Sequence, residues 1–264
     1  MIVVKLLGGM GNQLFQWAFG QALRHRGNHV AYAKNSLIEN THREYSLGFL
    51  DPFLPLSLPK GDLVREKSHI FDPDLLWVRD GVTVEAYAQS EQYFQEISHD
   101  IRSKFNYVWM QNPLTGYARE IEQEIYKSRS VFIHVRRKDY VTLQNYHGMP
   151  GMDYYEQAIN FMTEKHGGIQ PPDGLKFFVF SDDPAWCELN FSSDFHIVEG
   201  LSKYDDLRLM SGCKHAIIAN STFSWWGAWL GDNQLGRAVI APEKWFVTNE
   251  IDYRDIVPSR WEKI

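Results

Sequence analysis

Residues 131–141, VFIHVRRKDYV, place three cationic side chains directly after an apolar segment. The alternating β-branched and aromatic residues predict a strand that ends at Arg136, with His134 on the same face as Arg136. Guanidinium groups form forked hydrogen bonds to phosphate oxygens, so the segment indicates a site for a phosphorylated ligand. Arg136 and Arg137 point to opposite sides of an extended chain. We expect one to contact the ligand and the other to pair with Asp139 or another carboxylate, whereas the alternative is a solvated basic turn.

Acidic residues follow the next predicted strand, over 175–180. Ser181 or Asp183 is placed to cap a helix that holds Pro184 in its first turn. The alternative is that a carboxylate orients a ribose or the arginine pair, and one of Asp182 and Asp183 remains free for that role.

A third polar segment, residues 220–222, follows a strand predicted over 215–220. Ser221 and Thr222 then begin a predicted helix over 221–231. Hydroxyl groups at this position cap a helix, and the same N-terminus can hold a phosphate, so both interpretations stay open. Ligands of open parallel sheets bind beyond the carboxyl ends of the strands, so the three polar segments are expected to face one crevice.

The opening segment resembles a phosphate-binding loop. A predicted strand over 2–7 leads into GGMGNQ, residues 8–13, and apolar residues then recur at helical spacing. The dinucleotide pattern G-x-G-x-x-G fails, because Leu14 stands where the third glycine is required and no acidic residue ends the second strand. An anion site at the helix N-terminus and a plain tight turn are the two interpretations.

Strands and helices alternate along most of the chain, which predicts an α/β fold with doubly wound parallel sheets. Two Rossmann-like halves that face a cleft are expected, residues 1–127 and residues 128–264. Prolines interrupt residues 40–80, where long regular elements are not expected. In the second half we expect strands over 131–136, 175–180, 195–198, 215–220 and 238–242, with helices over 152–165, 204–210 and 221–231.

Composition limits the classes of partner. The chain has 264 residues with 27 Lys+Arg against 33 Asp+Glu, and this net charge of −6 disfavours nucleic acid. The two cysteines exclude a disulfide framework. The N-terminus lacks the features of a signal peptide, and no apolar run approaches the ~20 residues that span a bilayer. These features predict a cytoplasmic protein without a transmembrane segment, and peripheral attachment to the inner face of the membrane stays open.

No metal site is predicted. The D-x-D segment, Asp72 to Asp74, lies in the proline-rich middle of the chain, and the ten histidines show no H-E-x-x-H spacing. The arginines can neutralise a pyrophosphate without a metal ion. The chain also lacks G-x-S-x-G and Walker patterns, which disfavours serine hydrolases and P-loop NTPases.

Four stretches together resemble glycosyltransferase family 11, the α-1,2-fucosyltransferases, in a compact bacterial form. They occur in the expected order at residues 8–23 (GGMGNQLFQWAFGQAL), 86–94 (AYAQSEQYF), 134–141 (HVRRKDYV) and 220–231 (NSTFSWWGAWLG), and residues 240–246 (IAPEKWF) fit too. The His-x-Arg-Arg-x-Asp pattern is shared more widely, with α-1,6- and protein O-fucosyltransferases.

The resemblance implies a GT-B-like fold, GDP-L-fucose as donor, inversion at the anomeric carbon and no metal or other cofactor. It implies an acceptor side in residues 1–127, with the Gly-rich loop, and GDP-fucose binding in residues 128–264. The acceptor is a galactose-containing oligosaccharide or lipid-linked glycan, fucosylated at the 2-hydroxyl of galactose in cell-surface glycan or O-antigen synthesis. Alternatives are a fucosyltransferase of another linkage, a non-catalytic nucleotide- or sugar-binding protein and an NAD-type oxidoreductase.

The resemblance also assigns roles to single residues. It implies that Arg136 grips the β-phosphate, that His134 lies near guanine, and that Asp205 or Asp206 contacts the base. The donor-binding residues expected in all are Asn12, Gln13, His134, Arg136, Arg137, Asp182, Asp183, Asp205, Asp206, Ser221, Thr222 and Ser224.

The general base is not identified by the resemblance. The α-1,6 relatives carry a glutamate several residues past the motif, whereas residues 142–145 (TLQN) contain no carboxylate. Asp139 is a candidate base beside the catalytic Arg136, and bracing an arginine is its alternative role. Ser90 and Glu91, from the first half, are expected to handle the acceptor.

Overall fold

The computed structural model describes residues 1–33, 44–51, 62–137, 148–168, 174–248 and 251–264. The chain forms two compact units, Met1–Asn112 with Glu250–Pro258, and Pro113–Asn249 with Ser259–Ile264. The sequence placed the division after residue 127. In the structure the helix Gly116–Lys127 belongs to the second unit, where it packs against the helix Lys203–Gly212.

The first unit is built on four short strands. They are β1 (Ile2–Lys5), β2 (Val30–Ala33), β3 (Asp62–Arg65) and β4 (Val82–Glu85), with helices α1 (Met10–His25) and α2 (Ser98–Gln111) and 3-10 turns at Pro73–Trp77, Glu91–Tyr93 and Gln95–Ile97. All pairings are parallel, in the order β2-β1-β4-β3. Strand order therefore reverses beside β1, which places a topological switch point between β1 and β4.

Helix α1 packs closely on β2. Most of its residues from Met10 to Leu23 are buried, as the helical spacing of its apolar side chains predicts. Gly20 allows the close approach, because a Cβ there would lie 2.5 Å from the hydroxyl of Tyr32. That hydroxyl donates a 2.8 Å hydrogen bond to the carbonyl of Trp17, which fixes the helix on the strand.

The second unit alternates strands and helices. Its elements are α3 (Gly116–Lys127), β5 (Arg129–Val135), α4 (Met152–His166), β6 (Leu175–Ser181), α5 (Pro184–Asn190), β7 (His196–Val198), α6 (Lys203–Gly212), β8 (His215–Ile217), α7 (Thr222–Leu230), β9 (Val239–Ala241) and β10 (Glu262–Lys263). The parallel sheet has the order β10-β9-β8-β5-β6-β7. Its switch point lies between β5 and β8.

Strand β5 lies inside this sheet with both faces covered. Val131 and Ile133 pack in a core with Tyr155 and other residues of α4. On the opposite face, the ring of His134 lies 5.8 Å from the ring of Phe223 on α7. Helices on both faces explain why the strand is buried almost throughout.

The predicted α/β fold with parallel sheets is confirmed. Two strands were not predicted from the sequence: β3, inside residues 40–80, and β10, beyond the strand predicted over 238–242. Both stand at a sheet edge and are short and largely exposed, so they lack the apolar pattern that identifies a buried strand. None of the described helices is long and apolar enough to cross a membrane.

Candidate functional site

Three polar segments lie at the carboxyl ends of neighbouring strands in the second unit. Val135 of β5 pairs with Ser181 of β6, and Ile133 of β5 pairs with Ile217 of β8. The residues that follow these strands therefore meet at one edge of the sheet, at its switch point. Ligands of open α/β sheets bind at such an edge.

Arg136 and Asp182 form an ion pair at this edge. One guanidinium nitrogen of Arg136, Nη1, lies 3.0 Å from Oδ2 of Asp182. The other carboxylate oxygen of Asp182 accepts the backbone N–H of Arg137 at 2.9 Å. Asp182 thus fixes the turn after β5 and aims Arg136, whose side chain stays 29% exposed.

Arg137 points into a different environment. Its Nε donates to Oδ2 of Asp183 at 3.1 Å, and its guanidinium carbon lies 4.2 Å from the ring centroid of Trp186. Contact with a carboxylate and an aromatic face holds the side chain firmly. The two arginines therefore do different work, as the alternation along the strand indicates: Arg137 braces the loop through a carboxylate other than Asp139.

Asp183 caps helix α5. Its side chain accepts the backbone N–H of Trp186 at 3.3 Å, and its own N–H donates to the hydroxyl of Ser181 at 2.9 Å. Pro184 occupies the first turn. Asp183 therefore both caps α5 and holds Arg137, whereas Asp182 pairs with Arg136.

His134 is a buried, neutral ring beside the arginine pair. It is 5% exposed, and burial together with the adjacent Arg136 lowers its pKa to about 3. In the part of the chain that the structure describes, its Nδ1 has no hydrogen-bond partner. A neutral imidazole with an unsatisfied ring nitrogen can bind a polar group of a ligand.

Helix α7 begins at the carboxyl end of β8. Ser221 is its N-cap residue, with extended backbone angles and, within the described residues, no capping hydrogen bond from its side chain. The first-turn N–H groups of a helix lack intrahelical partners, so they and the helix dipole favour an anion. Thr222 is half-buried in this first turn.

Two polar side chains of this segment are engaged inside the unit. Asn220 donates through Nδ2 to the carbonyls of Gly148, at 3.0 Å, and Trp245, at 3.1 Å. Ser224 is fully buried, and its hydroxyl donates to the carbonyl of Ser221 at 3.1 Å. Ser224 can therefore approach a pyrophosphate through its backbone N–H rather than through its hydroxyl.

Asp205 and Asp206 lie in the first turn of α6. Ser202 and Asp205 form a reciprocal cap, in which the Ser202 hydroxyl accepts the N–H of Asp205 at 3.2 Å and donates to its carboxylate at 2.7 Å. Burial, and then the neighbouring Asp205, raise the pKa of Asp206 to about 7. Asp206 can therefore gain or lose a proton near neutral pH, whereas the carboxylate of Asp205 is part of the cap.

The candidate base, Asp139, lies outside the described residues. In the described ranges, no three His, Cys, Asp or Glu residues come together as metal ligands. The D-x-D segment forms a local turn, because Oδ1 of Asp72 accepts the N–H of Asp74 at 3.0 Å and caps a 3-10 helix.

In the first unit, Gln13 holds the Gly-rich loop from within. Its amide donates to the carbonyls of Gly8, at 3.0 Å, and Glu44, at 2.9 Å, and accepts the N–H of Ser46 at 2.9 Å. The side chain is fully buried. These three bonds give the amide of Gln13 a structural role. They favour the interpretation of the Gly-rich loop as a tight turn after β1.

Asn12 contacts the loop after β4, the second of the two strands at this switch point. Its Oδ1 accepts a 3.0 Å hydrogen bond from Gln89, in the loop after β4. Gly8, at φ +71°, makes room for it, because a Cβ on Gly8 would lie 2.4 Å from the amide nitrogen of Asn12. In the described part of the chain, Oε1 of Gln89 is buried and lacks a hydrogen-bond partner. This pair is thus the polar feature of the first switch point.

Ser90 and Glu91 follow directly in the same loop. Ser90 is buried, and its hydroxyl accepts the N–H of Gln92 at 3.3 Å as the cap of a 3-10 helix. Glu91 is half-buried in the first position of that helix. Of the two predicted acceptor residues, Glu91 is the one whose side chain is not used as a cap.

The family model "Glycosyl transferase family 11" matches residues 75–261, which include the four loops after β4, β5, β6 and β8. The chain belongs to this family. The match confirms the family that the four sequence stretches resemble.

Three relatives match different parts of the chain. An α-1,2-colitosyltransferase of Escherichia coli is 31% identical over the whole chain and 99% of its own length. The Escherichia coli O-antigen biosynthesis glycosyltransferase WbnK is 41% identical over 44% of this chain and 39% of its own. The galactoside α-(1,2)-fucosyltransferase 2 of Oryctolagus cuniculus is 25% identical over 93% of this chain and 72% of its own.

Some residues of this family 11 chain could not be assigned a role from the sequence. Gln16 bonds both backbone groups of Leu7, accepting from its N–H at 2.8 Å, and Gln89 bonds Asn12. Trp186 covers Arg137. Uncharged amides and a lone tryptophan carry no spacing signal, because their partners come from distant segments.

Asn12→Ala and Gln13→Ala are expected to differ. Gln13→Ala removes the side-chain partner of three backbone groups, among them the N–H of the buried Ser46, so it should lower the free energy of unfolding by about 2 kcal/mol. Asn12→Ala loses the bond to Gln89 at the switch point and should lower donor turnover with a smaller loss of stability, about 1 kcal/mol. Donor hydrolysis, sugar transfer and chemical denaturation measure both effects.

The exposed Gln92→Ala provides a matched control on the same unit. Unchanged turnover in a folded Asn12→Ala and a folded Gln13→Ala would show that the Gly-rich loop is only a structural turn.

Proposed function

We propose that the chain transfers L-fucose from GDP-β-L-fucose to the 2-hydroxyl of a terminal β-galactoside, with inversion at the anomeric carbon. The observation that carries this proposal is the Arg136–Asp182 pair beside the first turn of α7, at the switch point of the second sheet. Membership of family 11 supports the reaction class, and the rabbit α-(1,2)-fucosyltransferase among the relatives supports the donor and the linkage.

The second unit would bind the nucleotide sugar. Arg136 and the first N–H groups of α7 are proposed to contact the pyrophosphate. As the glycosidic bond breaks, negative charge grows on the β-phosphate, and groups already aimed at that position stabilise the transition state more than the ground state. His134, which stays neutral, would offer its ring nitrogen to guanine, and Asp206 is proposed to contact the base.

The first unit would present the acceptor. The attacking galactose hydroxyl approaches the anomeric carbon from the face opposite GDP, and a carboxylate takes its proton. Asp139 stays the proposed base, and Glu91 is proposed to handle the acceptor. The acceptor itself is proposed to be a galactose-containing oligosaccharide or lipid-linked glycan of the cell surface, which the likeness to an O-antigen glycosyltransferase supports.

A second candidate is transfer of colitose. The relative that matches the whole chain is named for this sugar. Colitose is fucose without the 3-hydroxyl group, so both donors carry the same pyrophosphate and the same nucleotide. The proposed donor site would serve either sugar, and only contacts to the 3-hydroxyl group would distinguish them.

The purified chain is expected to release GDP from GDP-fucose when lactose is present, without added metal. Arg136, Arg137 and the helix N-terminus supply positive potential for the pyrophosphate, so excess EDTA should leave the rate unchanged. NMR of the product is expected to show fucose on O2 of galactose. Parallel reactions with GDP-colitose and with NAD measure the competing assignments.

Activity lost in EDTA and restored by Mg²⁺ or Mn²⁺ would show that a metal site was missed. Fucose on another hydroxyl would contradict the linkage while the donor chemistry stands. Faster transfer from GDP-colitose would favour the second candidate, and donor binding without transfer would favour a non-catalytic binding protein.

A further inference from the structure

A groove of about 520 Å³ lies at the carboxyl edge of the first sheet, outside the donor site. It is formed by residues that follow three adjacent strands: Leu7 after β1, residues 66–69 after β3, and Ala86 with Tyr87 after β4. Ile251 and Asp252 complete its lining. Its volume lies within the range of small-molecule sites, and its position is where parallel sheets bind ligands.

The wall of this groove is held in a fixed conformation by Glu66. Its two carboxylate oxygens accept the backbone N–H groups of Tyr87, at 2.8 Å, and Ala88, at 3.1 Å. Ala88 adopts φ +50°, a left-handed conformation that is unfavourable for a residue with a Cβ. Residues in such strained conformations cluster at functional sites. They persist there because the surrounding contacts offset the cost of the strain.

An aromatic pair lines the groove. The rings of His69 and Tyr87 are nearly parallel, with centroids 5.8 Å apart and an interplanar angle of 28°. Burial lowers the pKa of His69, which favours the uncharged form of its ring. The two rings offer a largely apolar face, which suits the C–H faces of a sugar.

The charges that line the groove are mixed in sign. Arg65 and Lys67 stand beside the carboxylates of Glu85 and Asp252, and burial raises the pKa of Glu66 to about 7, so that its carboxyl group is only partly ionised at neutral pH. Glu85 already pairs with Arg65 at 3.0 Å. No single sign dominates, unlike a site for phosphate, so the groove suits a neutral ligand rich in hydroxyl groups that can donate to carboxylates and accept from cations.

We propose that this groove binds the saccharide acceptor, a neutral β-galactoside, with the ring of Tyr87 as its platform and Glu66 as the residue that positions that platform. The inference rests on the proposed function for the identity of the saccharide. Ser90 and Glu91 lie in the same loop as Tyr87, so the proposal adds Tyr87, His69 and Glu66 to the acceptor residues expected from the sequence.

Saccharide binding is measured without transfer, by saturation-transfer-difference NMR and titration with lactose and N-acetyllactosamine in the presence of GDP. Tyr87→Ala is expected to weaken lactose binding at least about tenfold, the size of a lost aromatic contact. Tyr87→Phe keeps the ring and should bind as the wild type does. The exposed Tyr107→Ala is the matched control in the same unit.

The variant Tyr87→Ala should leave GDP affinity unchanged, because the proposed GDP contacts belong to the second unit. Where Tyr87→Ala fails to fold, His69→Ala replaces it, with the same weakening of lactose binding expected. Glu66→Gln keeps the side-chain shape but presents an amide nitrogen to a backbone N–H, so it should raise the KM for lactose more than it lowers kcat.

The groove assignment is overturned if folded Tyr87→Ala and His69→Ala bind lactose as tightly as the wild type. A wild type that binds lactose at Tyr87 but neither binds GDP nor uses a GDP-sugar would instead support the groove and contradict the proposed function. A wild type that transfers fucose to lactose while both variants keep its KM for lactose would overturn the groove alone.

Discussion

Arg136→Lys is expected to lower kcat/KM for the nucleotide-sugar donor by roughly two orders of magnitude, about 2–3 kcal/mol of transition-state stabilisation. Lysine keeps the positive charge but loses the fork, so it cannot hold Asp182 and a phosphate oxygen in one fixed geometry. The side chain of Arg136 is partly exposed, and its ion pair is with one carboxylate oxygen, so thermal stability should change little. Steady-state kinetics with GDP-fucose and a thermal melt measure the two quantities.

Arg137→Lys provides the contrast, because Arg137 is packed between Asp183 and Trp186 and should lose stability as well as activity. The surface variant Arg79→Lys is the matched control for replacing an arginine by a lysine. Arg79 lies in the first unit, where it pairs with Asp62. Kinetics like those of the wild type in a folded Arg136→Lys would remove Arg136 from the phosphate site.

Most of the helices and buried strands were predictable because burial imposes a period on the sequence. Helix α1 and the core strands β5 and β6 carry long apolar patterns that few other structures satisfy. Strands β3 and β10 were missed because edge strands face solvent. In β3, DLVR is mostly exposed, and only pairing with β4 makes it a strand.

The site was predictable as far as topology determines it. Parallel strands bring the residues after their carboxyl ends to one edge, so Arg136, Asp182 and Ser221 could be grouped without any distances. The sequence left open which aspartate would cap α5 and which would pair with Arg136. That choice depends on where Asp182 lies relative to the turn after β5, a contact between segments far apart in the chain.

Amide and carboxyl groups in loops were the hardest to interpret. Gln13 is next to Asn12 in sequence, yet one bonds the backbone of its own loop and the other bonds Gln89. Glu66 lies in a segment without any motif, and its role appears only because residues 87 and 88 donate to it. Such roles depend on a partner's position, which composition and spacing do not encode.

The variants Asp182→Ala and Asp182→Asn are expected to distinguish two roles of Asp182. One role is to hold the loop after β5, and the other is to orient Arg136. Asp182→Ala removes the acceptor of the Arg137 N–H and the partner of Arg136, so the free energy of unfolding should fall by about 2–3 kcal/mol. Asp182→Asn keeps an oxygen for the N–H and should cost less stability. In both, kcat for donor cleavage should fall, because Arg136 is no longer held in one direction.

The affinity for GDP is the quantity that distinguishes the two effects of Asp182. Removing its negative charge leaves Arg136 more attractive to an anion, so the Kd for GDP should stay the same or decrease while kcat falls. The exposed Asp62→Asn, which also frees an arginine, controls for the change in net charge. A folded Asp182→Asn with the kcat of the wild type would show that the carboxylate does not aim Arg136. A loss of GDP affinity equal to the loss of kcat would indicate instead that the loop itself had moved.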